Sequence, residues 1–314
     1  MKKTFSFKSS DNKHNINAIL WEPDNEPVAV VQIIHGMLEF IDRYDRLAKY
    51  LNNKGIAVVG HDMLGHGNSV FSKAERGYIA DDKNPEKYII KDVEILRKHM
   101  RSLYPSLPYF MLGHSMGSFV LRSYLGIYSD SVSGSVSGAL IAGTGYESPI
   151  MAKLGVLITE AFRIVKGDGH RSKYVALLIK NKYYDKYDLT AEDIYNQWIT
   201  RDIEIVKFYI ADERCRFHFT INAYRALFNL VYYSCSKKYM KKIPASLPIY
   251  IFSGSEDPVG KMGRSPVKLK KELERLGNGN VSLKLYEGAR HETHNELNYA
   301  EVYEDIYKWI NNCL

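Results

Sequence analysis

Six short runs in this chain are apolar almost from end to end: VAVVQIIHG (28–36), IAVVGHD (56–62), PYFMLGH (108–114), GALIAG (138–143), PIYIFSG (248–254) and NVSLKLYEG (280–288). A strand with one face in water alternates apolar and polar residues, whereas a strand covered on both faces need not. Runs of this kind therefore demand material on both sides of a sheet. The stretches between them supply it, with helical spacing around 42–52, 86–102, 116–127, 265–276 and 297–312. In the second of these, Tyr88, Val93, Leu96 and Met100 share one helical face. Strands alternating with helices predict an α/β fold, a mostly parallel sheet flanked by helices. Ahead of it, 4–9 and 15–21 alternate as a hairpin would.

The alternation lapses from about 145 to 242, where helical periodicity continues without a buried-strand run. There LTAEDIYNQWI opens as a capped helix, with Thr190 as N-cap and Asp193 three residues on. The expected organisation is a core of 1–144 and 243–314, with a helical insertion, 145–242, between the sixth and seventh strands. The net charge of +7 is concentrated in that insertion: it is +1 over 1–150, +7 over 151–242 and −1 over 243–314. A basic segment could face nucleic acid, an anionic membrane or an anionic substrate, or be a solvated helical surface.

With 45% hydrophobic and 25% charged residues, the chain can bury a large core. Cys215, Cys235 and Cys313 form no C-x-x-C pair and leave one over, which suggests neither a disulfide framework nor a zinc site. The start carries no apolar leader and no run approaches the ~18 apolar residues of a membrane span, so a reduced, cytoplasmic setting is expected.

The third buried run ends in Gly113-His-Ser115-Met-Gly117. Alone, Gly-x-Ser-x-Gly arises by chance in roughly one chain of this length in ten. Here a strand precedes it and MGSFVLRSYLGIY supplies a helix after it, the frame of a nucleophile elbow. A serine hydroxyl needs a base, and in this arrangement the acid and the histidine follow the serine in chain order. FSGSEDPVG closes the fifth run with Glu256 and Asp257 in a turn, and YEGARHETHNE closes the last with His291. Asp257 is the acid chosen, because it lies beyond the strand end and precedes a proline that stiffens the loop. The developing oxyanion needs backbone donors. One is the N–H of Met116, after the nucleophile; the other is that of Met37 in IIHGMLEF. His291 and His294 are three apart rather than the four of the helical zinc motif, so no metal is expected there.

Together HGM, GHDMLGHGNS, GHSMG, SGSEDPVG and EGARHETHNE resemble the α/β-hydrolase superfamily, and within it the monoacylglycerol lipase and lysophospholipase-like serine hydrolases. The resemblance spans roughly 25–145 and 245–314. It implies a triad of Ser115, Asp257 and His291, oxyanion donors Met37 and Met116, no cofactor, and a mainly structural part for Asp62, His66 and Ser69. Met37 is bulkier than the small residue some members carry there.

On this resemblance the insertion would cover the site as a cap, with Met151, Leu154, Leu157, Phe162 and Trp198 lining an acyl channel or packing the cap's own core. The expected activity is hydrolysis of a lipid-like ester, a monoacylglycerol or lysophospholipid, through an acyl-enzyme. The partners expected are that small substrate and an anionic membrane surface touched through the cap, with no nucleic acid. The alternatives are a short-chain carboxylesterase, thioesterase or peptidase, or a non-catalytic binding protein on the same fold.

Overall fold

The computed structural model describes residues 1–180, 182–187 and 197–314. Eight strands form one sheet: β1 (Lys2–Lys8), β2 (Asn15–Trp21), β3 (Ala29–Ile34), β4 (Ile56–His61), β5 (Tyr109–His114), β6 (Gly138–Ala142), β7 (Ile249–Gly254) and β8 (Val281–Tyr286). Their spatial order is β1-β2-β4-β3-β5-β6-β7-β8. The hairpin β1–β2 and the β2–β4 pair are antiparallel; every pairing from β4 to β8 is parallel. All residues of β3 to β7 are buried, as their uninterrupted apolar runs require.

The helices are α1 (Asp45–Asn52), α2 (Glu86–Leu103), α3 (Met116–Ile127), α4 (Ser129–Val132), α5 (Pro149–Lys166), α6 (Lys173–Leu177), α7 (Ile203–Ala211), α8 (Ile221–Cys235), α9 (Lys237–Met240), α10 (Arg264–Arg275) and α11 (Tyr299–Asn311). Successive strand residues point to opposite faces, and the core divides accordingly. Val30 and Ile34 of β3 and Met111 of β5 join α2, α3 and α10 in one cluster; Val31, Ile33, Phe110 and Leu112 join α1 and α11 in the other.

Among the described residues, five α-helices, α5 to α9, lie in sequence between β6 and β7. α5 packs on α8 where Gly155 meets the ring of Phe228, and α8 packs in turn on α3. At α8, Arg225 is buried yet paired, Nη1 lying 2.9 Å from Asp168 Oδ1. Asn222, also buried, accepts from Ile79 N–H at 3.0 Å and donates to the Ala80 carbonyl at 2.8 Å, fastening α8 to the loop before α2. The capped helix start read at Thr190 and Asp193 falls outside the described residues. Among the described residues, no helix is long and apolar enough to cross a membrane.

Candidate active site

Ser115 stands between β5 and α3 with φ 52° and ψ −120°, a conformation L-residues rarely adopt. The flanking glycines make that turn physically possible. A Cβ on Gly117 would stand 2.1 Å from the Ile34 carbonyl oxygen, and one on Gly113 would stand 2.4 Å from that of Gly117. The serine is pinned by its own N–H to the Ala142 carbonyl at 3.0 Å, and its carbonyl accepts from the Ser118 N–H at 2.9 Å.

Asp257 is wholly buried in the turn after β7. Its Oδ1 lies 3.0 Å from His291 Nδ1 and accepts from the Val259 N–H at 2.9 Å, while Oδ2 accepts from the Ser253 hydroxyl at 3.0 Å. Burial disfavours the carboxylate, but His291 and these donors outweigh it and hold the acid below its ordinary range. With Nδ1–H directed at a carboxylate, Nε2 is the basic nitrogen of His291. Glu256 turns the other way: its carboxylate pairs with Lys186 at 2.7 Å and is a third exposed. The geometry thus separates the two neighbouring acids as the choice of Asp257 requires.

Ser115, His291, Met37 and Met116 border one cavity of about 390 Å³, walled mainly by apolar side chains including Phe119, Ile158, Leu227 and Phe228. The N–H groups of Met37 and Met116, the two backbone donors expected from the sequence, have no acceptor among the described residues. Of the five apolar residues expected to line a channel, Met151, Leu154 and Trp198 border this cavity. Leu157 does not: it is two-thirds exposed on α5. Phe162, near the end of the same helix, packs against the core instead.

Beneath the cavity lies a buried ionic cluster that sequence reading missed. Glu39 Oε1 accepts from the Gly36 N–H, from His114 Nδ1 at 3.0 Å and from the Tyr44 hydroxyl at 3.1 Å. Its Oε2 pairs with Arg43 at 2.8 Å, and Arg43 reaches Glu292 through two bonds of 2.7 Å. One carboxylate therefore ties the Met37 loop to the serine elbow and, through Arg43, to the loop of His291. Burial opposes charge on both Glu39 and His114, yet their hydrogen bond prevails: Glu39 is held well below its usual range and His114 is raised.

The ligand atoms of Glu39, His114 and His294 lie within 4.8 Å of one another. The donors already converging on Glu39 Oε1 account for its position there by hydrogen bonding. His294 stacks on Tyr44 with ring centroids 4.7 Å apart, and burial pushes its imidazole down to about 3. Asp62 serves as a loop anchor, accepting from Ile41 N–H and Asn68 N–H, both at 2.8 Å, and from Asn17 Nδ2 at 2.9 Å. Ser69 donates to the Asp62 carbonyl at 2.7 Å, and His66 packs edge-on against Phe217 and Phe219.

A mostly parallel sheet with this strand order, a strained serine after β5, and an acid and a histidine after β7 and β8 define an α/β hydrolase. Solved structures agree. The chain superposes on a thermostable carboxyl esterase from Bacillus coagulans in complex with glycerol (TM-score 0.89, 29% identity, 99% of this chain and 98% of that one). It also superposes on a lipase in its open form (TM-score 0.88, 25% identity, 100% and 99%). The chain belongs to the Hydrolase_4 family, described as serine aminopeptidase, S33, which it matches over residues 25–298. Among curated relatives it is 26% identical to a monoacylglycerol lipase of Mycolicibacterium smegmatis, covering 93% of this chain and 91% of that one. It is 27% identical to the monoglyceride lipase of Homo sapiens, covering 92% and 84%.

Proposed function

We propose that this hydrolase cleaves the carboxylic ester of a lipid-like substrate, a monoacylglycerol or lysophospholipid, through a covalent acyl-serine. His291 Nε2 takes the proton of Ser115 as its hydroxyl attacks the ester carbonyl. Asp257 orients the imidazole and stabilises its protonated form, which then delivers the proton to the departing alcohol. The N–H groups of Met37 and Met116 receive the oxyanion. Water activated by the same histidine releases the acid, and the sequence requires no cofactor. The observation that carries this reading is a mainly apolar cavity bordered by Ser115 and His291 together.

In this reading residues 145–242 form a cap, of which α5 and α8 supply much of the acyl wall. Away from the cavity α5 exposes Ile150, Leu157, Ile164 and Val165, more apolar surface than a solvated helix needs. Lys237, Lys238, Lys241 and Lys242 make no ion pair among the described residues, whereas Arg163, Lys207, Arg214 and Arg225 do. We read the apolar side as a membrane contact and the free lysines as its preference for anionic lipid. Co-sedimentation with anionic and zwitterionic vesicles tests it, and equal binding to both removes the electrostatic part. The free thiols of Cys215, Cys235 and Cys313 suit a reducing, cytoplasmic setting.

A fluorophosphonate probe should label the wild type and not Ser115→Ala, with hydrolysis falling about 10³-fold or more in the variant. Equal labelling of the two would end the assignment. A panel of p-nitrophenyl esters of graded length, with monoacylglycerols and lysophospholipids, decides the substrate. The second reading, a short-chain carboxylesterase, is favoured by the similarity to the Bacillus coagulans esterase and predicts activity falling beyond short acyl chains.

A further inference from the structure

His291 is held by its own loop on one side and by residues 197–201 on the other. The latter come from the stretch between β6 and β7, far from the loop in sequence. The Glu292 N–H donates to the Ile199 carbonyl at 2.7 Å and the His291 N–H to that of Trp198 at 3.4 Å. Arg290 reaches back to the Gln197 carbonyl at 2.6 Å. Glu296, fully buried, accepts from the Arg290 N–H at 2.8 Å and, in the facing segment, from the Arg201 N–H at 3.1 Å and Nε at 2.9 Å. The Trp198 indole then lies against the imidazole itself, with ring centroids 5.1 Å apart and planes 41° to one another.

The Asp257 bond fixes one nitrogen of His291 but leaves the ring free to pivot about it. The His114 ring, its centroid 4.8 Å away, and the Trp198 indole both restrict that pivot, and hydrogen bonds from the Arg290 and Glu292 N–H groups fix where the side chain starts. We infer that Trp198 and Arg201 are positioning residues for His291, so that the segment 197–201 belongs to the catalytic apparatus as well as to the wall of the cavity. This rests on the hydrolase reading above. It adds that the imidazole is in place only while this segment is seated, which makes turnover depend on a part of the chain that contributes no reacting atom.

The test uses the full chain, p-nitrophenyl acetate and a fluorophosphonate probe. The acetate carries too little acyl chain to feel a lost wall contact. Trp198→Ala should lower kcat on it by about 10²-fold, the cost of a misplaced reacting group, with KM changed less than about threefold. Probe labelling of Ser115 should slow in the same ratio. Trp198→Phe, which keeps a ring against the imidazole, should recover most of both rates. Arg201→Ala, a change outside the cavity lining, should act in the same direction and shift the acid limb of the pH–rate profile. A folded Trp198→Ala that labels at the wild-type rate and loses only KM for long-chain esters would overturn the inference, making the indole a wall and nothing more. If Trp198→Ala does not fold, Arg201→Ala decides alone, and an unchanged kcat and pH profile there would overturn it too. A wild type that the probe does not label would instead bring down the hydrolase reading on which this one stands.

Discussion

Arg43 and Glu292 are 249 positions apart and meet through two parallel bonds, Nη1 to Oε1 and Nη2 to Oε2, both 2.7 Å long and both buried. Such a pair contributes little net stability when intact, because removing two charges from water is costly, but it is expensive to break from one side. The site is therefore sensitive to which partner is removed.

Arg43→Ala leaves Glu39 and Glu292 facing each other without their shared cation and should cost about 3–5 kcal/mol. Glu292→Gln leaves Arg43 still paired with Glu39 at 2.8 Å and should cost clearly less. Urea unfolding of the two variants measures this. Equal losses would mean that the guanidinium does not bridge the two acids.

The two acids after β7 should separate in kinetics as they do in space. Asp257→Asn should slow ester hydrolysis by about 10⁴-fold, through loss of the histidine tautomer the reaction needs. Glu256→Gln removes an exposed pair with Lys186 and should change kcat less than about threefold. A reversal of these effects would move the acid to Glu256.

Asp92 gives a pH signature. Buried on α2, it accepts from the Ser9 hydroxyl and the Ser10 N–H, both at 2.7 Å, and burial raises its carboxyl from 3.8 to about 6 despite these donors. The folded state then binds more protons than the unfolded one between about pH 4 and pH 6. This contribution to stability is present in acid and is lost as pH rises through that window. Asp92→Asn abolishes the loss, so its stability relative to wild type should improve from pH 4 to pH 7.5 by up to about 3 kcal/mol. Parallel urea midpoints for the two proteins across this range would contradict the account.

Two glycines should respond differently to a methyl group. At Gly117 the new Cβ would meet the Ile34 and His35 carbonyl oxygens at 2.1 and 2.5 Å, backbone atoms of a central strand and its loop that cannot give way. Gly117→Ala should cost at least about 3 kcal/mol and yield little soluble protein. At Gly134, with φ +71° and open space around it, only conformational strain remains, about 1–2 kcal/mol. Soluble yield and urea midpoints compare them.

The strands, and the places of Ser115, Asp257 and His291 just after three of them, were legible in the sequence because both are local signals. Each buried run lies within one or two residues of its strand, and the elbow, acid and histidine each end one. The sheet order was not legible, since nothing in β4 says that it lies between β2 and β3. Nor were Glu39, Arg43 and Glu292, which meet only in the folded chain. In EFIDRYDRL the first acid and arginine look like the start of a solvated helix, and only the preceding Gly36 loop hints that Glu39 turns inward. Trp198 was read as lining a channel or packing the insertion's own core. Its contact with His291 depends on a pairing between 197–201 and 290–296 that carries no strand-like run in either segment.

The unusual torsion of Ser115 sets stability and chemistry against each other. A side chain at φ 52° and ψ −120° is disfavoured by roughly 1–3 kcal/mol, and the surrounding sheet must hold it there. Glycine would occupy the same torsion with far less strain, so Ser115→Gly should melt later than the wild type while hydrolysing nothing. Selection for thermal robustness alone would discard the proposed nucleophile, and a library screened only by heat should enrich inactive chains at this one position.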